Sequence, residues 1–246
     1  PYGTMPGDIY AIKQTRLKKI KQSKQGESPF KVTIEQDIVK HIKLMIDENQ
    51  FAKKYFKRKE LIYTEGSLPY HVYFVSNGLV KISKSLQSSK EVITHLIVKD
   101  TLFGYKQAVC NEPYENYATA IEDTEVVLIP KDQFIQALAS NHGLHLNLER
   151  QLTHILNDLE NKLFLTAYYS VKRRVAMAVL QLSDIYNQTL NSDHIMLSRE
   201  DLANYIGVSP ETVIRALSDL KDKEYISIET GKIKVVNHEA LKAVKH

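Results

Sequence analysis

Between Leu197 and Leu220 two short apolar periods meet at a single glycine. Leu202, Ala203 and Ile206 recur at helical spacing, and so do Val213, Leu217 and Leu220, with Gly207 between the runs. Two such faces must pack on each other. Ser198 ahead of Glu200 and Asp201 is an N-cap followed by first-turn carboxylates, which favour the positive end of a helix dipole. Ser209, Pro210 and Glu211 open the second run with a cap, a proline at the first helical position and an early acid. Gly207 falls where the first helix ends and the chain reverses, a place that calls for positive φ. The connection is about three residues long, the spacing of a helix-turn-helix whose second helix reads DNA. Downstream, apolar residues alternate from Tyr225 to Val236 around Thr230 and Gly231, which predicts a β-hairpin and hence a wing. A helical hairpin built for stability alone would not explain two capped helices followed by a wing.

The rest of the chain must supply a second unit, because 246 residues with 43% apolar content can bury two modest cores. No apolar run approaches the roughly 20 residues that span a bilayer, and no charged-then-apolar leader is present, so no membrane partner and a cytoplasmic location are the default expectations. The single cysteine, Cys110, can neither close an internal disulfide nor build a cysteine cluster within one chain. His71, His95, His142 and His145 match no metal-site spacing, and no cofactor is expected. The same absence of a Ser-His-Asp or metal motif argues against an enzyme. The net charge of +4 is concentrated before residue 25, where Lys13, Arg16, Lys18, Lys19, Lys21 and Lys24 face only Asp8. From 197 to 246 eight basic residues meet eight acidic ones, so phosphate contacts must come from placement rather than bulk charge. Lys172 and Arg173, followed by Arg174, form the best local basic cluster, and Arg199 opens the first helix of the motif.

Four segments emerge along the chain. Residues 1–28 are a basic linker or the remnant of an upstream domain, ending in a polar stretch around Gly26. Residues 29–143 are predicted to begin with a helix carrying Ile34, Ile38, Ile42 and Met45. Short alternating strands follow from 57 to 130, at 61–63, 72–75, 79–82, 92–97, 117–121 and 126–129, with Gly66, Gly78 and Gly104 at turns. Asn77-Gly78 between two apolar runs is a hairpin signal. From 144 the period turns helical: Leu148, Leu152, Ile155, Leu159 and Leu163 form a heptad-like stripe over 144–169, which seats either on the chain's own β-domain or, as the favoured reading, in a two-fold dimer seam. Residues 170–246 contain the winged helix-turn-helix. The fold class is therefore α+β: an N-terminal antiparallel β-roll of jelly-roll type, a long dimerisation helix and a C-terminal reader.

That order of parts resembles the Crp/Fnr family of bacterial transcription regulators over about residues 30–238, most specifically across Leu202 to Arg215. The resemblance implies a homodimer that binds palindromic double-stranded DNA and meets RNA polymerase. It places Glu211 and Arg215 on base edges, and their chemistry agrees: residues four apart share a helix face, arginine bonds guanine bidentately and glutamate accepts from cytosine. Ser209, Pro210 and Thr212 flank them as further DNA-facing positions. Members controlled by cyclic AMP carry an arginine where this chain has Pro210, and oxygen-sensing members a serine where it has Ile214. The operator is expected to share the family's central contact and to differ beside it.

The family's nucleotide pocket maps onto Gly104, Tyr105, Asn116 and Tyr117. The glutamate that holds the ribose and the arginine that holds the cyclic phosphate are both missing, so a cyclic phosphate would lose its countercharge and control by cyclic AMP is not expected. The small-molecule effector is not specified. Tyr2 and the run Asp8 to Lys19 resemble the last helix and exit linker of a response-regulator receiver domain, which would make phosphorylation the input to a Crp-like output. The other alternative, a cyclic-nucleotide-binding effector, does not account for the wing.

Overall fold

A computed structural model describes residues 36–86 and 90–244. The basic segment 1–28, with its receiver-like run, and Ile34 lie outside the described residues. The chain opens with helix α1 (Gln36–Asn49) and continues through β1 (Lys53–Phe56), β2 (Leu61–Tyr63), β3 (His71–Asn77), β4 (Val80–Leu86), β5 (Lys90–Ile97) and β6 (Leu102–Phe103). A short helix α2 (Tyr105–Cys110) precedes β7 (Tyr117–Ala120) and β8 (Thr124–Pro130). The strands form two antiparallel four-stranded sheets, ordered β1-β8-β3-β6 and β2-β7-β4-β5.

The sheets face each other across a core of Phe56, Tyr63, Tyr73, Val75, Val80, Ala118 and Val126. Period two in β3 and β8 explains why their apolar runs are nearly continuous. Tyr73, Val75 and Val126 point between the sheets, while Val72, Phe74, Val127 and Ile129 point outward into a second core. That second core is closed by Ile38, Val39 and Ile42 of α1, by Phe134 of α3 (Lys131–Ser140), and by Leu144 and Leu148 of the long helix α4 (His142–Tyr168).

The Asn77-Gly78 hairpin expected from sequence does not exist. β3 pairs with β8 and β6, β4 pairs with β5 and β7, and the turn instead carries the chain from one sheet to the other. Gly78 is still required there, at φ 102 with a hypothetical Cβ overlapping Thr124 Oγ1. Strands β1 and β6 were not foreseen, because Lys53, Lys54 and Tyr55 are exposed on β1 and β6 has only two residues.

α4 ends at Tyr169, whose φ of −104 and ψ of 141 leave helical space, and Ser170 then caps α5 (Val171–Leu190) by accepting from the Arg173 N–H at 3.3 Å. The reader follows: β9 (His194–Ile195), α6 (Arg199–Ile206), α7 (Pro210–Asp222), the hairpin β10 (Ile226–Glu229) and β11 (Lys232–Val235), and α8 (His238–Lys242). β9 adds a third strand to the wing by pairing with β11. Among the described residues no helix is long and apolar enough to cross a membrane.

The reader does not hang free of the β-roll. Ile93 of the second sheet, with Leu79, Val98 and Ile121 at the ends of its strands, merges with Val175, Val179, Leu202 and Leu217 into one apolar cluster. Polar contacts rim that junction. Lys81 on β4 is only 13% exposed and reaches Glu91 at 2.8 Å and Asp201 of α6 at 2.7 Å. Burial would lower its pKa, but the bonds to Asp201 and Glu91 outweigh burial and raise it. Asn204 of α6 donates to the same Glu91 at 3.0 Å, Arg58 donates to the Met196 carbonyl at 2.9 Å, and the Tyr186 hydroxyl donates to Glu122 at 3.0 Å.

Candidate nucleic-acid interface and cavity

The helix-turn-helix is built as its capping residues require. Ser198 accepts from the Asp201 N–H at 2.9 Å, Gly207 takes φ 77 at the end of α6, and Ser209 accepts from the Thr212 N–H at 3.3 Å to start α7. Leu202, Ala203, Ile206, Val213, Leu217 and Leu220 are all buried between the helices and α5. That packing turns Glu211, Ile214 and Arg215 outward along one exposed face of α7.

Glu211 is held ionised: the backbone N–H at the helix start lowers its pKa first, with Ser209 and the charge of Arg215 adding to the effect. Glu211 and Arg215 form no ion pair with each other among the described contacts, so the guanidinium and the carboxylate both remain exposed on the face of α7. Ile214 is 52% exposed between them, an apolar contact of the kind that suits a thymine methyl. Ser209 is spent on the cap and on a 2.9 Å bond with the Thr212 hydroxyl, and Pro210 serves as the first helical residue.

Three basic residues expected at DNA are engaged within the protein. Arg199 donates to the Gly231 carbonyl at 3.0 Å, so it ties the wing's tip to the start of α6. Lys172 pairs with Asp219 of α7 at 2.8 Å, and Arg173 lies 4.1 Å over the Tyr169 ring with its Nε buried and unbonded. Each was chosen from sequence for its charge, and each also has a partner within the protein once α5, α6 and the wing pack. Lys232 lies exposed beside the wing turn, next to Gly231, without an ion pair among the described contacts.

The apolar stripe of α4 divides. Leu148 is 7% exposed and belongs to the chain's own core, and Ile155 is partly buried against that core. Leu152, Leu159 and Leu163 remain outside, joined by Leu156, at 40%, 38%, 73% and 57% exposure. Residues 152, 156, 159 and 163 form a cleaner 4-3-4 repeat than the expected one.

A cavity of about 120 Å³ lies where the second sheet, α4 and the reader meet. Gly104 and Tyr105 line it; Gly104 takes φ 76, and a Cβ there would sit 3.0 Å from the Tyr73 ring, so both the backbone and the space favour glycine. Asn116 also lines it and accepts from the Tyr63 hydroxyl at 2.9 Å, while Tyr63 stacks on Tyr114 with ring centroids 3.7 Å apart. Tyr117, expected in the same pocket, is not there. The alternation of β7 turns it to the other face of the sheet, into the cleft that holds Lys81 and Asp201. The sequence reading also missed Asp158 and Lys162 of α4 and Gln181 and Tyr205 of the reader, all of which line the cavity. Among the described residues no three His, Cys, Asp or Glu side chains cluster as a metal site would require.

His95 on the cavity wall gives this junction a pH dependence. Burial first, then the charges of Lys106 and Lys162, push its pKa from 6.5 down to about 4. The native state thus resists a proton that the unfolded chain accepts. Stability is full above pH 6.5 and falls as pH drops toward 4, with about 2 kcal/mol lost by about pH 5. Urea unfolding at about pH 7.5 and about pH 5 should show that loss in the wild type and a clearly smaller one in His95→Gln. Equal losses in both would assign it elsewhere.

Two protein-family models match the chain: a cyclic nucleotide-binding domain over residues 53–141 and a Crp-like helix-turn-helix domain over residues 173–244. The chain is 26% identical over 191 residues to the anaerobic regulatory protein of Bacillus subtilis, an alignment covering 76% of this chain and 80% of that protein. It is 28% identical over 185 residues to the global nitrogen regulator of a Nostoc species, covering 73% and 83%. Its fold matches the structure of FixK2 from Bradyrhizobium japonicum with a TM-score of 0.70 at 24% identity, over 80% of this chain and 98% of that one.

Proposed function

We propose that this chain, whose two matched domains and curated relatives are those of Crp/Fnr-type transcription regulators, works as a regulator of that type, a homodimer on a palindromic operator with Glu211 and Arg215 of each copy on base edges. The observation that carries this reading is the exposed face of α7, where an ionised carboxylate and a guanidinium stand one turn apart with neither neutralising the other. Residues 29–143 act as the sensing half, 144–169 as the pairing helix through Leu152, Leu156, Leu159 and Leu163, and 170–246 as the reader. Arg199 sets the wing so that Lys232 meets phosphate, a positioning role rather than a contact. RNA polymerase is the further partner.

Cyclic AMP has no part in this reading. Tyr105 stands where the ribose-binding carboxylate belongs, and Asn116 is committed to Tyr63. The dimer and its spacing are tested together by selecting binding sites from random duplex DNA with the purified chain. The expected product is a two-fold symmetric sequence with half-site centres about one helical turn, roughly 34 Å, apart. Enrichment of single, unpaired half-sites would refute the dimeric reading, and no enrichment would refute sequence-specific binding.

A further inference from the structure

Lys162 projects from α4 into the junction cavity with an incomplete set of partners. Its ammonium donates to the Ile93 carbonyl at 2.9 Å and lies 5.2 Å from the centre of the Tyr205 ring, and the described contacts give it no carboxylate. An ammonium carries three N–H groups, and a cation removed from water without a counterion is costly. Burial has already lowered its pKa to about 8. Asp158, one turn earlier on the same helix and also on the cavity wall, makes no ion pair with it among the described contacts. Lys106 adds a second positive charge at the wall, so the lining carries two lysines against one aspartate. A further unmet group points the same way: the Thr101 hydroxyl lines the cavity, buried without a hydrogen-bond partner.

The remaining surface is flat and apolar, from Tyr63, Phe103, Tyr105, Leu96 and Ile155. At about 120 Å³ the space is somewhat smaller than the roughly 150 Å³ cavity that accommodates one benzene ring, which limits an occupant to a single ring. We infer that this cavity binds a small aromatic carboxylate, with its ring among the tyrosines and its anionic group on Lys162, and that occupancy is transmitted to DNA through Tyr205. The coupling follows from position. Tyr205 belongs to α6 of the helix-turn-helix and bonds Gln181 of α5 at 2.6 Å, so the cation that would receive the anion already rests on the reader. A carboxylate drawing Lys162 away from the Tyr205 ring weakens one contact that holds α6 against α4, which biases the reader between two positions. This inference rests on the β-roll acting as the sensing half.

Calorimetric titration of the full chain with benzoate, benzyl alcohol and cyclic AMP tests the site without reference to DNA. Benzoate is expected to bind with a Kd of about 1 mM or tighter, in keeping with the affinity a ligand of this size reaches. Benzyl alcohol, which lacks the charge, should bind at least about tenfold more weakly, and Lys162→Met should cost benzoate at least about tenfold. Lys162→Arg keeps the charge and should retain binding within about threefold, which separates loss of the anion contact from a damaged fold. No benzoate heat up to about 20 mM, equal binding of the alcohol, undiminished binding by Lys162→Met, or cyclic AMP binding tighter than benzoate would each overturn the site. A second arm measures affinity for the selected DNA with and without saturating benzoate. A change of at least about threefold, absent in Lys162→Met, supports the coupling, and no change overturns it. If the chain binds no DNA, the proposed function fails while the calorimetry still decides the ligand site.

Discussion

Arg215→Ala is expected to abolish discrimination at one base pair of each half-site while lowering non-specific DNA affinity far less than specific affinity. A bidentate arginine–guanine pair contributes about 1–3 kcal/mol of discrimination, and a dimer makes it twice, so the specific complex should weaken by about 2–6 kcal/mol, roughly thirtyfold or more. The side chain is exposed on α7 and makes no ion pair among the described contacts, so its removal should leave the unfolding midpoint unchanged. Glu211→Ala should behave differently. It removes a negative charge that approaches the phosphate backbone, so non-specific affinity rises while preference for the paired cytosine is lost. Competition of the selected palindrome against single-base variants and random duplex measures both effects. Unchanged base preference in both variants would show that another part of the reader reads the sequence.

The contrast between these two residues and the basic cluster shows what sequence alone resolves. Caps, a glycine at positive φ and apolar period are local properties, and they located α6, Gly207, α7 and the wing hairpin to within a residue or two. That Glu211 and Arg215 share one face of α7 was legible, because a helical period fixes it. The contacts of Arg199, Lys172 and Arg173 were not, because their partners, Gly231, Asp219 and Tyr169, become neighbours only after three helices and a hairpin pack. The Asn77-Gly78 turn failed for a related reason. Its dihedral requirement is local, but whether the flanking strands pair with each other is set by the sheet topology. The junction is the extreme case. Lys81 meets Asp201 across 120 residues and Lys162 meets Ile93 across 69, separations at which no pattern in a single chain announces a contact.

Leu156→Glu is expected to convert a dimer into a folded monomer, and it does so because α4 has two apolar faces that one stripe of the sequence concealed. On the inner face Leu148 is already 7% exposed within the chain's own core, while on the outer face Leu156 is 57% exposed among the described residues. Burying a leucine contributes about 1.5–3 kcal/mol, and two-fold symmetry counts it twice. Glutamates introduced at a seam would also confront each other with like charge. A loss above about 3 kcal/mol, more than a hundredfold in dimer affinity, should follow. Sedimentation equilibrium reads it directly, and DNA binding should fall with it, since a lone reader engages one half-site. Leu148→Glu supplies the complementary result: it buries a carboxylate in the core behind the first sheet and should unfold the chain instead of dissociating it. If Leu156→Glu remains dimeric at wild-type concentrations, the exposed leucines of α4 are not the seam and the two readers must be paired through another surface.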